Sequence, residues 1–208
     1  NRLVVASSQN LAYGSCLPGR EQPPAVWRVL RPLVLFFLPV ELRGTENLGD
    51  EAAILCANHS SAWDPILLVL AMPQNFNVRI MAKKQLFSIP VVGWFLRNIG
   101  VFPVDRGNSD IHAVKTAITS LRDGWNLLIF PEGTRSHDGE IYRFKAGAFT
   151  LAREAGVEIL PVVLDGTTTM IGRNGMFNWR NKLTVSILPP VSAERVAAAD
   201  PKELMEQV

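Results

Sequence analysis

Cysteine is scarce in this chain of 208 residues, with only Cys16 and Cys56. Two cysteines cannot build a disulfide framework, and their spacing fits no metal-binding pattern, so we expect free thiols in a reducing compartment. The three histidines, His59, His112 and His137, share no ligand spacing for zinc, and no metal site is expected. Neither a Gly-x-Gly-x-x-Gly dinucleotide loop nor a Gly-x-x-x-x-Gly-Lys phosphate loop occurs, and there is no Gly-x-Ser-x-Gly nucleophile elbow. Charge is also sparse: 19% of residues are charged, and 21 basic against 19 acidic residues leave a net +2. That balance argues against a nucleic-acid partner bound by broad phosphate neutralisation.

Long hydrophobic runs are missing too. The longest uncharged stretch of the apolar segment Pro24–Val40 runs from Pro32 to Val40, nine residues. A bilayer crossing needs about 20. Residues 1–23 contain no continuous apolar region of the signal-peptide kind, and a start at Asn1 rather than Met suggests trimming or processing. We assign residues 1–23 no role.

Apolar residues are abundant, at 48% of the chain with a mean hydropathy of +0.14, which excludes a disordered protein and provides for one core. Short apolar runs at Ala52–Cys56, Arg79–Ala82, Val101–Val104, Leu127–Phe130, Ile159–Leu164 and Leu183–Leu188 predict strands. Several read as strands buried on both faces. Between them, Asp64-Pro65 predicts a helix start with Asp64 as the cap. Ile111, Val114, Ile118 and Leu121 fall at helical spacing before Gly124. Further helices are expected over Phe144–Glu154, ending at Gly156, and from Asp200-Pro201. This alternation predicts an α/β fold: a single domain with a mixed, largely parallel central sheet flanked by helices, occupying residues 41–208.

Residues 24–40 have a different character. Trp27, Leu30, Leu33, Val34, Phe36, Phe37 and Leu38 make a bulky apolar surface, with Arg28 and Arg31 near its start. This suits a helix lying in the lipid headgroup region with its arginines facing anionic lipid. An ordinary helix packed on the domain is the alternative.

Two clusters carry chemistry. Asn58-His59-Ser60-Ser61-Ala62-Trp63-Asp64 follows a buried strand and precedes a helix. Residues five apart diverge by about 140° on a helix, so His59 and Asp64 meet only across a non-helical turn. If they meet, the carboxylate fixes the imidazole tautomer and frees Nε2 to take a proton from a substrate hydroxyl. A turn histidine beside a helix-capping Asp is the alternative. The second cluster, Phe130-Pro131-Glu132-Gly133-Thr134-Arg135-Ser136, follows another strand, where α/β sheets place their sites. There Gly133 permits positive φ, Glu132 can hold a hydroxyl, and Arg135 suits a phosphate, unless Glu132 and Arg135 simply pair. Lys83 and Arg106 also follow strands, and Lys145 opens a predicted helix. Each alone reads as a solvated charge, but several at successive strand ends favour an anion site more than any one does.

These blocks, in this order, resemble the glycerolipid acyltransferases related to 1-acyl-sn-glycerol-3-phosphate acyltransferase. The Asn-His-x-x-x-x-Asp block is matched at Asn58, His59 and Asp64, and Phe-Pro-Glu-Gly-Thr-Arg-Ser at Phe130–Ser136. Gly100–Arg106, Phe144–Gly147 and Ile159–Val163 fit the remaining blocks, with Pro103 and Asp105 departing from the commoner apolar residues. The resemblance implies acyl transfer from an acyl-thioester, acyl-CoA or acyl carrier protein, to a hydroxyl of a glycerol-phosphate acceptor. Lysophosphatidic acid is the first choice of acceptor, and glycerol 3-phosphate, another lysolipid or a lipid amine the alternatives. A non-enzymatic lipid-docking module fits poorly with the intact motifs. On this resemblance His59 is the general base and Asp64 its orienter. Glu132 and Gly133 place the glycerol, and Arg106 and Arg135, with Lys83 and Lys145, bind its phosphate. Asn58 and Thr134 join the substrate-binding set, and no cofactor is needed beyond the co-substrate. A lipid acceptor favours docking of Trp27–Val40 on a membrane surface, monotopically and on the cytoplasmic face, where acyl-thioesters are found.

Overall fold

The computed structural model describes residues 31–32, 35–36, 38–73, 76–98, 101–104, 111–170, 178 and 181–208. Seven strands form one sheet: β1 (Val40–Arg43), β2 (Ala53–Ala57), β3 (Val78–Lys83), β4 (Val101–Val104), β5 (Asn126–Ile129), β6 (Glu158–Asp165) and β7 (Leu183–Ile187). Their spatial order is β1-β7-β6-β2-β5-β3-β4. Every neighbouring pair is parallel except β6 with β7, where Val162 faces Ile187 and Asp165 faces Thr184. The sheet is therefore mixed and largely parallel.

Helices whose bounds lie among the described residues are α1 (Asp64–Ala71), α2 (Pro90–Asn98), α3 (Ile111–Arg122), α4 (Gly147–Ala155), the single turn α5 (Thr167–Met170), α6 (Ala193–Ala198) and α7 (Pro201–Gln207). Strand alternation divides the core into two layers. Ala53, Leu55 and Ala57 of β2 pack with Leu67, Leu68 and Leu70 of α1 and Leu96 of α2. Ile54 and Cys56 pack on the opposite face with Ala117 and Leu121 of α3, Phe149 and Ala152 of α4, and Leu204 of α7. All five residues of β2 are buried, which explains its unbroken apolar sequence.

The end of the apolar N-terminal segment differs from expectation. Most of Pro24–Val40, like residues 1–23, lies outside the described residues. Of the rest, Leu38 is buried in the core, Pro39 accepts the Leu183 N–H at 2.9 Å, and Val40 begins β1. The predicted boundary at Val40 therefore falls inside the sheet. Arg31 does not face outward as a lipid-binding cation would. Its Nε donates to Leu70 O at 2.9 Å and its Nη2 to Met72 O at 2.8 Å, satisfying carbonyls at the end of α1. Those carbonyls have no partner within the helix, and a guanidinium fork fits two of them.

Among the described residues no helix is long and apolar enough to cross a membrane. Two helix starts also move. Phe144 and Lys145 lie in extended chain before α4, because the Lys145 N–H donates to Pro131 O at 2.9 Å. Asp64 opens α1 without capping it, because its carboxylate is used elsewhere.

Candidate active site

β2, β5 and β6 are adjacent and parallel, so the segments that follow them emerge at one edge of the sheet. After β2, residues Asn58 to Ser61 are non-helical, and the chain turns at Ala62 and Trp63 before α1 begins. This turn returns the Asp64 carboxylate to His59. Asp64 Oδ2 lies 3.0 Å from His59 Nδ1 and accepts the N–H groups of Ser60 and Ser61, each at 2.7 Å. The side chain that the sequence offers as a helix cap, or else as the partner of His59, thus holds this turn. Its Oδ1 is also buried, with no donor among the described residues. With Nδ1 bound, Nε2 is the imidazole nitrogen left to accept a proton. The ring stacks on Phe130, with centroids 4.2 Å apart, and keeps 18% exposure.

The backbone around His59 is held from both neighbouring strands. Asn58 Nδ2 donates to Leu164 O at 2.9 Å, and Leu164 N–H donates back to Asn58 Oδ1 at 2.7 Å. Asn58 thereby acts as an added rung on β6. One residue on, the His59 N–H donates to Glu132 Oε1 at 2.7 Å, and the His59 carbonyl accepts the Ser136 N–H at 2.7 Å. Ser60 Oγ lies 2.9 Å from Thr167 Oγ1 of α5.

Glu132 is bonded to the main chain through both of its oxygens. The residue is 2% exposed, and its Oε2 accepts the Tyr142 N–H at 3.1 Å. Both oxygens are engaged by backbone donors, so this carboxylate joins the His59 turn, its own turn and the chain at Tyr142. Neighbouring Gly133 has φ 70°, and a Cβ there would lie 2.8 Å from Lys145 Nζ. Glycine therefore supplies both the backbone conformation and the space in which Lys145 lies across the turn. Thr134, Arg135 and Lys145 are exposed at this edge. Lys83 is described in its backbone only, as the last residue of β3 opposite Val104. Arg106 lies outside the described residues.

An open cavity of about 580 Å³ adjoins the site between α3 and α4. Ala113, Val114 and Ala117 line one side, Ala148 and Leu151 the other, while Phe130, Gly133 and Lys145 connect it to the His59 turn. No sequence pattern points to this cavity, because small residues on two helices distant in sequence create it together. Among the described residues no group of His, Cys, Asp and Glu is arranged to hold a metal. Cys56 is buried, and burial pushes its thiol up to about 12, so it does not serve as a nucleophile.

Asp64, fully buried, thus holds His59 on a turn at the carboxyl edge of the mixed sheet, beside an open cavity. The chain belongs to the Acyltransferase family, whose model matches residues 39–165. It is similar to 1-acyl-sn-glycerol-3-phosphate acyltransferases of Arabidopsis thaliana (the chloroplastic LPAT1, 34% identical, covering 76% of this chain and 45% of the relative) and Saccharomyces cerevisiae (35%, covering 82% and 57%). The chain spans about half the length of these curated relatives. The fold is similar to that of the crystal structure of the 1-acyl-sn-glycerophosphate (LPA) acyltransferase PlsC from Thermotoga maritima. That match has a TM-score of 0.66 at 29% identity and covers 88% of this chain and 75% of the other.

Proposed function

We propose that this chain is the catalytic domain of an O-acyltransferase that moves a fatty acyl group from an acyl-thioester, acyl-CoA or acyl carrier protein, to the free hydroxyl of lysophosphatidic acid. The observation that carries this reading is the 3.0 Å contact of His59 Nδ1 with an Asp64 oxygen that also holds two backbone N–H groups. This fixes the tautomer and leaves Nε2 to accept a proton. Nε2 takes the proton of the acceptor hydroxyl as its oxygen forms a bond to the thioester carbonyl carbon. Asp64 stabilises the imidazolium that results. As the tetrahedral intermediate collapses, the C–S bond breaks and the imidazolium returns the proton to the departing sulfur. An ester and a free thiol are the products, and no further cofactor is consumed.

Arg135 and Lys145, exposed beside the turn, supply cations for the acceptor phosphate, with Lys83 and Arg106 as further members of that set. Thr134 belongs to the same surface, whereas Asn58 and Glu132 act as positioning residues, holding the turn from within. The 580 Å³ cavity, lined largely by apolar side chains and reached past Phe130, suits an alkyl chain. The names of the relatives favour lysophosphatidic acid over glycerol 3-phosphate. A lipid acceptor places the protein on a membrane surface, monotopically, with its cytoplasmic face as the side of work.

The test is a product assay with purified protein and one labelled acyl donor. Glycerol 3-phosphate and the 1- and 2-acyl isomers of lysophosphatidic acid are offered in parallel. Labelled phosphatidic acid from a lysophosphatidic acid isomer supports the reading. Exclusive acylation of glycerol 3-phosphate replaces the acceptor, and no transfer from either class of thioester overturns the enzyme.

A further inference from the structure

No acidic residue occurs between Asp64 and Asp105, whereas Arg79, Lys83, Lys84 and Arg97 all fall in that interval. Within it, the 3-10 turn Lys84–Ser88 and α2 form an arm between β3 and β4. The arm is tied to itself and to the core: the Gly93 N–H donates to Ile89 O at 2.7 Å, and Leu96 is buried. Phe87 is partly buried against the core, while five other apolar side chains of the arm are open to solvent. Val91 is 77% exposed, Trp94 54% and Ile89 50%, with Leu86 and Val92 also open. An apolar row of this size on one short segment is unfavourable in water and marks a contact surface.

The surrounding charge identifies the contact. Lys84 and Arg97 are exposed at the two ends of the arm, and the Arg97 guanidinium sits 5.6 Å from the centre of the Phe87 ring. Aliphatic side chains with a tryptophan, flanked by cations and without an anion, match a bilayer surface: apolar groups enter below the headgroups while the cations meet anionic lipid. Placement supports the same occupant. β3 ends at Lys83 and runs parallel to β5, itself parallel to β2, so the arm leaves the same edge of the sheet that carries His59 and the Phe130–Ser136 turn.

We propose that Leu86–Trp94 is a docking surface for anionic bilayers, separate from Trp27–Val40, that brings the His59 edge of the sheet to the lipid. Its use in catalysis rests on the lipid-acceptor reading above, while its binding of vesicles does not.

The experiment uses the full chain with phosphatidylcholine vesicles, with and without phosphatidylglycerol. The wild-type protein is expected to cosediment with the anionic vesicles. Val91→Asp/Trp94→Asp should lower the partition coefficient about tenfold. Lys84→Glu/Arg97→Glu should remove a similar factor, and only with phosphatidylglycerol present. Trp94→Phe should lose part of the fluorescence quenching by brominated lipid, a readout independent of stability. Acylation of a short-chain, water-dispersed acceptor should stay at the wild-type rate in all three variants. Unchanged partition and quenching overturn the docking surface, leaving vesicle binding to another segment. Wild-type protein that ignores both vesicles overturns it as well. Loss of self-association in the variants with vesicle binding intact makes the arm a contact between copies instead. Wild-type protein that binds vesicles through the arm but acylates no acceptor supports the docking surface and removes only the catalytic reading.

Discussion

The Glu132 carboxylate accepts the backbone N–H of His59 at 2.7 Å, although the two residues are 73 positions apart. Its other oxygen accepts the Tyr142 N–H at 3.1 Å. A buried carboxyl group thus sets the height of the turn that presents the imidazole. Glu132→Gln keeps the size but turns an amide NH2 toward one of the two N–H donors, and that bond is lost. We expect kcat to fall about 10–100-fold and stability to drop by about 1–3 kcal/mol, the cost of a buried donor left unpaired. The acceptor KM should change little, because the side chain does not face the ligand. A large rise in KM at unchanged kcat would place Glu132 on the acceptor and remove its positioning role.

Asp64 has a comparable but more direct task in the proposed chemistry. Three donors converge on its Oδ2, one of them the imidazole of His59. Asp64→Asn preserves the shape and removes the charge that favours the imidazolium. The expected loss in kcat is about 10²–10⁴-fold, the range for a disabled general base. His59→Ala should match or exceed it with the fold retained, as measured by thioester consumption and circular dichroism. Wild-type turnover in either variant would exclude this histidine from proton transfer.

Much of the fold is legible because buried parallel strands write themselves as apolar runs. Ala53–Ala57 is the clear example, packed on both faces. The first strand, Val-Glu-Leu-Arg, is not legible: it is a short edge strand, and only its register with Leu183–Ser186 makes it one. At the site, the motifs mark two turns that the fold brings to one edge of the sheet, but they do not record every bonding partner. Asp64 before a proline has the composition of a helix cap, and only the Asn-His-x-x-x-x-Asp spacing, not the local composition, points to its contact with His59. Glu132 sits among residues that suit a ligand, yet its bonding partners are main-chain groups, invisible to any motif. Arg31 looks like a lipid-facing cation until the end of α1 is seen beside it.

That last contact predicts a stability effect. The Arg31 guanidinium bonds Leu70 O and Met72 O at 2.9 and 2.8 Å, and it is half-buried. Arg31→Ala leaves two carbonyls without these donors and should cost about 1–3 kcal/mol. Arg31→Lys should recover part of this, since an ammonium reaches one carbonyl at a time. Thermal melts of the three proteins decide the matter. Equal melting temperatures would show that solvent replaces both bonds without loss.

Glu158, at the start of β6, predicts a dependence on pH. Burial raises its carboxyl pKa, and the nearby charge of Glu51 raises it further. Folding therefore takes up a proton here. The contribution to stability is complete below the unfolded value of about 4.3 and is lost as pH rises through the raised folded value. Glu158→Gln removes the dependence. Its melting temperature should exceed that of the wild type at neutral pH and converge with it near pH 4. A constant offset across that range would mean that the side chain contributes only by packing.

The remaining prediction separates the two substrates. Arg135 is exposed on the turn after β5, close in sequence to the Gly133 over which Lys145 lies. A guanidinium there suits the acceptor phosphate, where one charge-assisted hydrogen bond is worth about 1.5–3 kcal/mol. Arg135→Ala should therefore raise the acceptor KM about 10–100-fold, with the KM of the acyl-thioester unchanged. Arg135→Lys should restore only part, because it keeps the charge but not the planar fork. Steady-state kinetics with each substrate varied in turn make the assignment. A defect confined to the acyl donor would move Arg135 to the thioester side and leave the phosphate to the other cations of this edge.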